Sequence, residues 1–371
     1  MTTRGTLRLA TRRSDLALRQ AASVRDSLAD RRLGVELVEV ETRGDEIRDE
    51  LIHRLGKTGA FVRALDEKVL DGEVDGAVHS MKDMPTERPD ALVVAGVPVR
   101  ESAADLLVSP GGTALEDLPH GAVVGTSSLR RKAQLLAARP DLTVEPLRGN
   151  VDTRIEKLLA PGLQAEHERR VEADRDAKGD DPAPDDGGDG DDPGFDQSIG
   201  EWFDGLTEIE RRALERDLDT EYDAIVLAEA GLRRAGLLHH VEYARLDPAS
   251  FVPAPGQGAL AVTTRDDSEA TAQIRDGIDH PRTRIETTVE RTVLAELGGG
   301  CIAPIGVYAK LQGEYVHTNA RVLSADGDEE VAATRDLPVR DHATAAAGFA
   351  ESLAERGADD LIAAAREAAE E

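Results

Sequence analysis

The chain has 371 residues, 40% of them hydrophobic, a length that suggests two or three domains, each large enough for its own core. Its 73 acidic residues against 45 basic ones give a formal net charge of −28, a surface that repels a nucleic-acid backbone rather than collecting one. One cysteine, Cys301, excludes an intramolecular disulfide and leaves no thiolate cluster for a metal, so no metal is expected. No signal-peptide core is visible at the N-terminus, and no run approaches the roughly 20 apolar residues of a membrane span. A cytoplasmic protein with neither nucleic acid nor membrane as partner is therefore expected. Only seven of the basic residues are lysines, and the acids are spread along the whole chain, a composition that suits molar salt. There the Debye length falls to about 3 Å, and a strongly negative body neither unfolds by self-repulsion nor repels an anionic ligand at long range.

In chain order, short apolar runs alternate with helical patterns, which predicts an α/β fold with mainly parallel strands. Residues 7–11 read as a strand, after which Ser14 can cap a helix through Leu18, Ala22, Val24 and Leu28. A strand at 35–42, a helix at 61–70 and a strand at 76–80 follow, the last ending at Met81-Lys82-Asp83, and 91–99 is another strand. A second unit starts at Glu101, with strands at 123–126 and 143–147, a helix at 129–138 and a helix from Val151. Residues 179–197 are dominated by Asp, Gly and Pro and cannot bury enough apolar surface to fold alone. Residues 161–219 therefore read as an inserted acidic loop carrying a surface helix at 199–218, placed outside any cleft as an exposed appendage; a linker between independent domains is the alternative. A strand at 224–228 and the turn-rich junction Pro253-Ala-Pro-Gly-Gln-Gly258 come next. The third unit, after residue 278, opens with a helix through Ile285, Val289, Val293 and Leu297 and ends in an Ala-rich helix.

Arginines recur where a predicted strand ends and a helix begins. Arg12 and Ser14 follow the first strand; Thr126, Ser127, Ser128, Arg130 and Arg131 follow another; Arg148, Asn150 and Arg154 follow a third. A cation at a helix N-terminus is intrinsically unfavourable, so something negative should compensate it. The carboxyl ends of strands are also where open α/β sheets bind ligands. Guanidinium suits bidentate carboxylate recognition, and no phosphate-binding glycine motif follows a strand, so the pattern predicts a cleft for an organic polycarboxylate. His79 reads as a structural histidine, and Lys82-Asp83 and Cys301 have bland explanations when taken singly.

Seven blocks carry a specific likeness: LRLATRRSDLALRQA (7–21), FVRALDEKVLDGEVDGAVHSMKDMPTE (61–87), VVGTSSLRRKAQL (123–135), LRGNVDTRIEKL (147–158), YDAIVLAEAGLRRAGL (222–237), PAPGQGALAV (253–262) and LGGGCIAPIGVYA (297–309). In this order they resemble the porphobilinogen deaminase (hydroxymethylbilane synthase) family, and the acidic composition makes the chain a haloarchaeal-like member. The resemblance implies two lobes similar to type II periplasmic binding proteins and a small α+β C-terminal domain. Lobe 1 would comprise 1–100 and 256–277, lobe 2 would comprise 101–255, and 278–371 would carry the cofactor.

The resemblance also implies a transferase reaction. Four porphobilinogen molecules, each losing ammonia, are condensed onto a dipyrromethane cofactor held by a thioether to Cys301, and hydrolysis releases hydroxymethylbilane for tetrapyrrole biosynthesis. Each pyrrole brings an acetate and a propionate, which accounts for the arginines. By motif position, Asp83 is the catalytic carboxylate. Lys82, Ser14, Thr126, Ser127, Ser128, Arg130, Arg131 and Arg54 contact the cofactor, and Arg12, Arg148, Arg154 and Arg234 grip substrate. Gly56-Lys-Thr-Gly59 departs from the Gly-Gly-Lys-Gly loop of many relatives, which puts contacts there in doubt. A monomer that hands its product to uroporphyrinogen-III synthase is implied. A non-catalytic carboxylate-binding module is the rival reading, and it needs neither Asp83 nor Cys301.

Overall fold

The computed structural model describes residues 6–29, 31, 33–41, 60–178, 195–217, 220–300 and 303–370. Its first sheet has the strand order Val35–Val40, Leu7–Arg12, Gly76–Ser80, Leu260–Arg265, Leu92–Gly96. The first three strands are parallel, and Leu260–Arg265 is antiparallel to both its neighbours. Successive residues alternate between the faces. Leu7 and Leu9 pack with Val24, Leu28 and Ile274 on one side, Ala10 and Val40 with Leu65 and Val69 on the other. Where both faces are covered the strands are mainly apolar, as in Leu92–Gly96 and the start of Leu260–Arg265, whereas the edge strand Val35–Val40 alternates Val and Leu with Glu.

The second sheet repeats the plan in the order Thr143–Glu145, Val123–Gly125, Ala224–Ala228, Asp105–Val108, Tyr243–Arg245, and here Asp105–Val108 is the antiparallel strand. In each sheet the antiparallel strand is the one that arrives from the other lobe. The two crossings touch where the Glu101 N–H donates to the Gly258 carbonyl at 3.2 Å. Gly258 has φ +84°, and a Cβ there would lie 2.6 Å from the carbonyl oxygens of both Glu101 and Ser102, so glycine is required for the chains to meet. The fold is thus two α/β lobes plus a smaller α+β unit. That unit is an antiparallel meander, Ile305–Gln312, Tyr315–Leu323 and Glu330–Pro338, backed by the helices Pro281–Glu296, His342–Ala354 and Ala358–Glu370 around Val289, Val307 and Phe349. No described helix is long and apolar enough to cross a membrane.

For 161–178 and 195–217 the structure corrects the reading of 161–219 as an appendage; 179–194 and 218–219 fall outside the described residues. The helix that starts at Val151 runs unbroken to Lys178 through Pro161. Its continuation is held from the side: Gln164 Nε2 donates to the carbonyls of Leu214 and Arg216, and Arg170 lies over the rings of Phe195 and Trp202. The single helix expected at 199–218 is two, Ile199–Gly205 and Glu208–Leu214, because the Glu210 carboxylate accepts the Thr207 N–H and hydroxyl and starts a second helix there. Ile209 and Ala213 are buried, and Ile209 packs with Leu147, Ile155, Leu158 and Tyr222 in the core of the second lobe. Ile209→Ala should therefore lower stability by about 2–5 kcal/mol, measured by urea unfolding; a change near zero would mean that this helix is detached.

Candidate active site

The strand Gly76–Ser80 ends in one 3₁₀ turn, Met81–Asp83, whose apolar and charged residues point opposite ways. Met81 and Met84 are buried beside Val97, Ala259 and Ala261, which leaves Lys82 half-buried and Asp83 exposed. From the third unit, the Arg291 guanidinium donates to the carbonyls of Met81, Met84 and Pro85 at 3.0, 3.2 and 2.6 Å. The turn that presents Asp83 is thus held from below by apolar packing and from the side by a cation.

Across the lobe boundary stands the helix Leu129–Ala138. Ser128 caps it, its Oγ accepting the Arg131 N–H at 3.4 Å, and Thr126 Oγ1 accepts the Ser128 N–H at 3.2 Å. In the first lobe Ser14 Oγ accepts the Ala17 N–H at 3.4 Å. Each of these hydroxyls acts as an acceptor, and its O–H remains chemically able to donate. Ser127 differs, since it spends its O–H on the Leu147 carbonyl at 2.7 Å.

Arg130 and Arg131 are both buried, at 4% and 5% exposure, and share one carboxylate, that of Asp105, which is 0% exposed. Arg130 donates to Asp105 Oδ2 and Arg131 to Oδ1, each at 2.8 Å. Arg130 also donates to the Val252 carbonyl, and Arg131 to that of Val226. Burial alone would raise the Asp105 pKa, but the charges and hydrogen bonds of Arg131 and Arg130 outweigh it and hold the carboxyl well below its usual range. Nevertheless one carboxylate serves two guanidiniums, and among the described residues the Nε of each is buried without a hydrogen-bond partner.

Lys82 lies within electrostatic reach of Asp83, Arg131, Asp105 and Arg154. The Asp83 carboxylate raises its pKa, yet desolvation together with Arg131 and Arg154 lowers it overall. Arg154, half-buried on the helix Val151–Lys178, is pulled down to about 10 by burial and by Arg131, against the opposing pull of Asp83. Its Nε donates to the Gly149 carbonyl at 2.9 Å. Among the described residues, the elements of two lobes thus bring the four cations Lys82, Arg130, Arg131 and Arg154 near the two carboxylates Asp83 and Asp105. Such a site is short of negative charge and partly desolvated, the condition in which a carboxylate ligand is bound most strongly.

Of the other sequence-expected residues, Arg12 stands half-buried at the end of Leu7–Arg12; Arg148 is half-buried too, but three residues beyond Thr143–Glu145, since the strand expected at 143–147 ends two residues earlier. Arg234 is placed elsewhere: its Nε donates to Glu101 at 2.9 Å and a terminal nitrogen to the Gly258 carbonyl at 2.8 Å, so it ties the two crossings together. The expectations for Arg54 and Cys301 fall outside the described residues. Sequence reasoning missed Asp105, Gln257 and Glu290. Gln257 donates to Asp105 Oδ1 at 2.9 Å and accepts from Arg130 at 3.5 Å. Glu290 is 0% exposed and accepts both arms of Arg100 and the N–H groups of Gly256 and Ala309. The available signal was an acid opening the otherwise apolar strand DLLV and another inside the apolar stripe of a helix.

Two family models match the chain: "Porphobilinogen deaminase, dipyromethane cofactor binding domain" over residues 7–166 and 208–273, and "Porphobilinogen deaminase, C-terminal domain" over 284–356. The chain belongs to the porphobilinogen deaminase family. It is 56% identical to the probable porphobilinogen deaminase of Halobacterium salinarum, over 97% of this chain and 98% of that one. It is 34% identical to the porphobilinogen deaminase of an Exiguobacterium species, over 96% and 97%. Among solved structures, the methionine-binding protein MetQ is similar at 14% identity and a TM-score of 0.35, covering 73% of this chain and 89% of that one. The match that stops at 166 and resumes at 208 leaves the acidic stretch outside the family pattern and the helix Glu208–Leu214 within it. The chain is accordingly a transferase that builds hydroxymethylbilane from porphobilinogen on a dipyrromethane cofactor.

The residues present fit that cofactor, since its acetate and propionate groups would meet a cluster in which the cations Lys82, Arg130, Arg131 and Arg154 outnumber the carboxylates Asp83 and Asp105. Asp105→Asn should strand two buried guanidiniums and cost about 3–5 kcal/mol at pH 7. A depressed carboxyl pKa stabilises the fold above its unfolded value and loses that contribution as pH falls below about 4. The gap between parent and variant, read from urea unfolding, should therefore narrow below pH 4; a gap that does not change with pH would exclude Asp105 as the counterion.

Proposed function

We propose that Asp83 is the catalytic carboxylate and that Lys82, Arg131, Arg154 and the hydroxyls of Ser14, Thr126 and Ser128 hold cofactor and substrate carboxylates. The observation that carries this reading is the cation-rich cluster between the lobes, with Asp83 as its exposed acid. When bound through Cys301 by a thioether, the dipyrromethane supplies the free pyrrole α-carbon onto which each new ring is added. Asp83 accepts hydrogen bonds from a pyrrole N–H and stabilises the positive charge that develops on the ring as ammonia leaves. Arg12, at a strand end of the first lobe, and Arg148, in the second lobe, orient the incoming acetate and propionate, with Arg54 a further cofactor contact.

Arg130 and Arg234 act differently from the roles that motif position alone suggests. Arg130 keeps Asp105 ionised behind Arg131, and Arg234 holds the crossing segments in register. Ser127 ties the capping loop to Leu147 and reaches a carboxylate only by giving up that bond. The protein works as a cytoplasmic, salt-adapted monomer, composition favouring molar salt, and its labile linear product is passed to uroporphyrinogen-III synthase.

Two variants test the assignment. Cys301→Ser should fold but lack the mass of a dipyrrole and the colour reaction with Ehrlich's aldehyde; full turnover by this variant would remove the covalent role. Asp83→Asn should keep the cofactor mass yet slow single-turnover condensation by about 100-fold or more, and a near-normal rate would show the charge to be dispensable.

A further inference from the structure

We propose that Arg212 and Arg216, on the segment that follows the acidic stretch, are positioning residues for Arg154 and act through Glu156. The inference rests on the reading of Arg154 as a substrate-carboxylate ligand. Glu156 is buried, with its side chain 5% exposed. One of its oxygens pairs with Arg212 at 3.0 Å, and the other accepts Arg216 Nε at 2.7 Å as well as a second Arg216 nitrogen. Arg212 also stands 3.9 Å from Asp152 in the first turn of the same helix. At 3.6 residues per turn, positions 154 and 156 are about 200° apart around the axis. The contacts that grip Glu156 therefore hold the back of the helix whose other side carries Arg154.

The brace also settles where charge goes. The first turns of this helix contain two acids, Asp152 and Glu156, either of which would compete for a nearby guanidinium. Arg212 and Arg216 neutralise them from outside. Among the described residues Arg154 has no carboxylate within ion-pair distance, only the Gly149 carbonyl at 2.9 Å. The brace is fixed in its turn, since Ile209 and Ala213 are buried and Gln164 holds the Arg216 carbonyl at 2.7 Å. Beside it, Asp15, Asn150, Thr153, Arg212 and Arg216 line a cavity of about 440 Å³, which brings this segment to the edge where the two lobes meet.

The test compares steady-state KM and kcat for porphobilinogen in cofactor-loaded enzyme, with loading checked by intact mass. Arg212→Gln/Arg216→Gln should raise KM about tenfold while kcat stays within about twofold, and Arg216→Lys should recover most of the loss. Because the double variant strands a buried carboxylate, the triple variant with Glu156→Gln removes the charges together and should show the same rise in KM in a stably folded protein. Adding Arg154→Leu to the triple variant should raise KM no further than Arg154→Leu does alone. An unchanged KM in the triple variant, with Arg154→Leu raising it, would overturn this inference and leave the reading of Arg154 standing. An unchanged KM in Arg154→Leu would overturn both.

Discussion

Asp105 is the carboxylate around which the site is organised. Buried completely at the first position of a crossing strand, it is the counterion for two guanidiniums that would otherwise be unpaired charges in the interior. Breaking a buried pair costs far more than the pair itself contributes, so this arrangement is all-or-none. It also leaves a surplus: two cations share one anion, and with Lys82 and Arg154 near by the excess positive charge is felt where Asp83 is exposed. A polycarboxylate ligand thus completes an electrostatic balance that the protein by itself leaves open.

The same acid connects the site to the rest of the molecule. Gln257 bridges Asp105 and Arg130 while its carbonyl accepts Arg100, and Arg100 is held by Glu290 of the third unit. Glu290 also accepts from Gly256, beside the turn that carries Asp83, where a Cβ would meet Met81 at 2.9 Å. Arg291, the next residue, holds the carbonyls of that turn. Two consecutive residues of one helix therefore reach both crossings and the turn that carries Asp83. The three units are joined through buried, hydrogen-bonded polar groups with specific geometry rather than by apolar contact alone, and this fixes how the lobes sit at the site.

Acidic character serves a different end at the edge of the second lobe. The helix Val151–Lys178 carries a surplus of acids, and part of it is matched by arginines from the returning segment, Arg212 and Arg216. Paired in this way, Glu156 does not compete for the guanidinium of Arg154 on the same helix.

From the sequence alone, the α/β alternation, the strand-to-helix junctions with their arginines, and Lys82-Asp83 at a strand end were legible, because period and turn chemistry are local properties. The ordered motif blocks carried the family, since each block is contiguous in the chain. What folding decided were the relations between distant positions. Asp105 lies 25 residues from Arg130 and Gln257 lies 152 from Asp105, so no spacing rule announces their contact. Arg130, Arg131, Arg148 and Arg154 look equivalent as charges after strands, yet tertiary packing turns Arg130 and Arg131 to the internal acid Asp105 and gives Arg154 the Gly149 carbonyl. The segment 208–217 reads as part of a surface helix because its few apolar residues are diluted by charge. Ile209 and Ala213 join the core because a partner surface formed elsewhere in the chain was waiting for them.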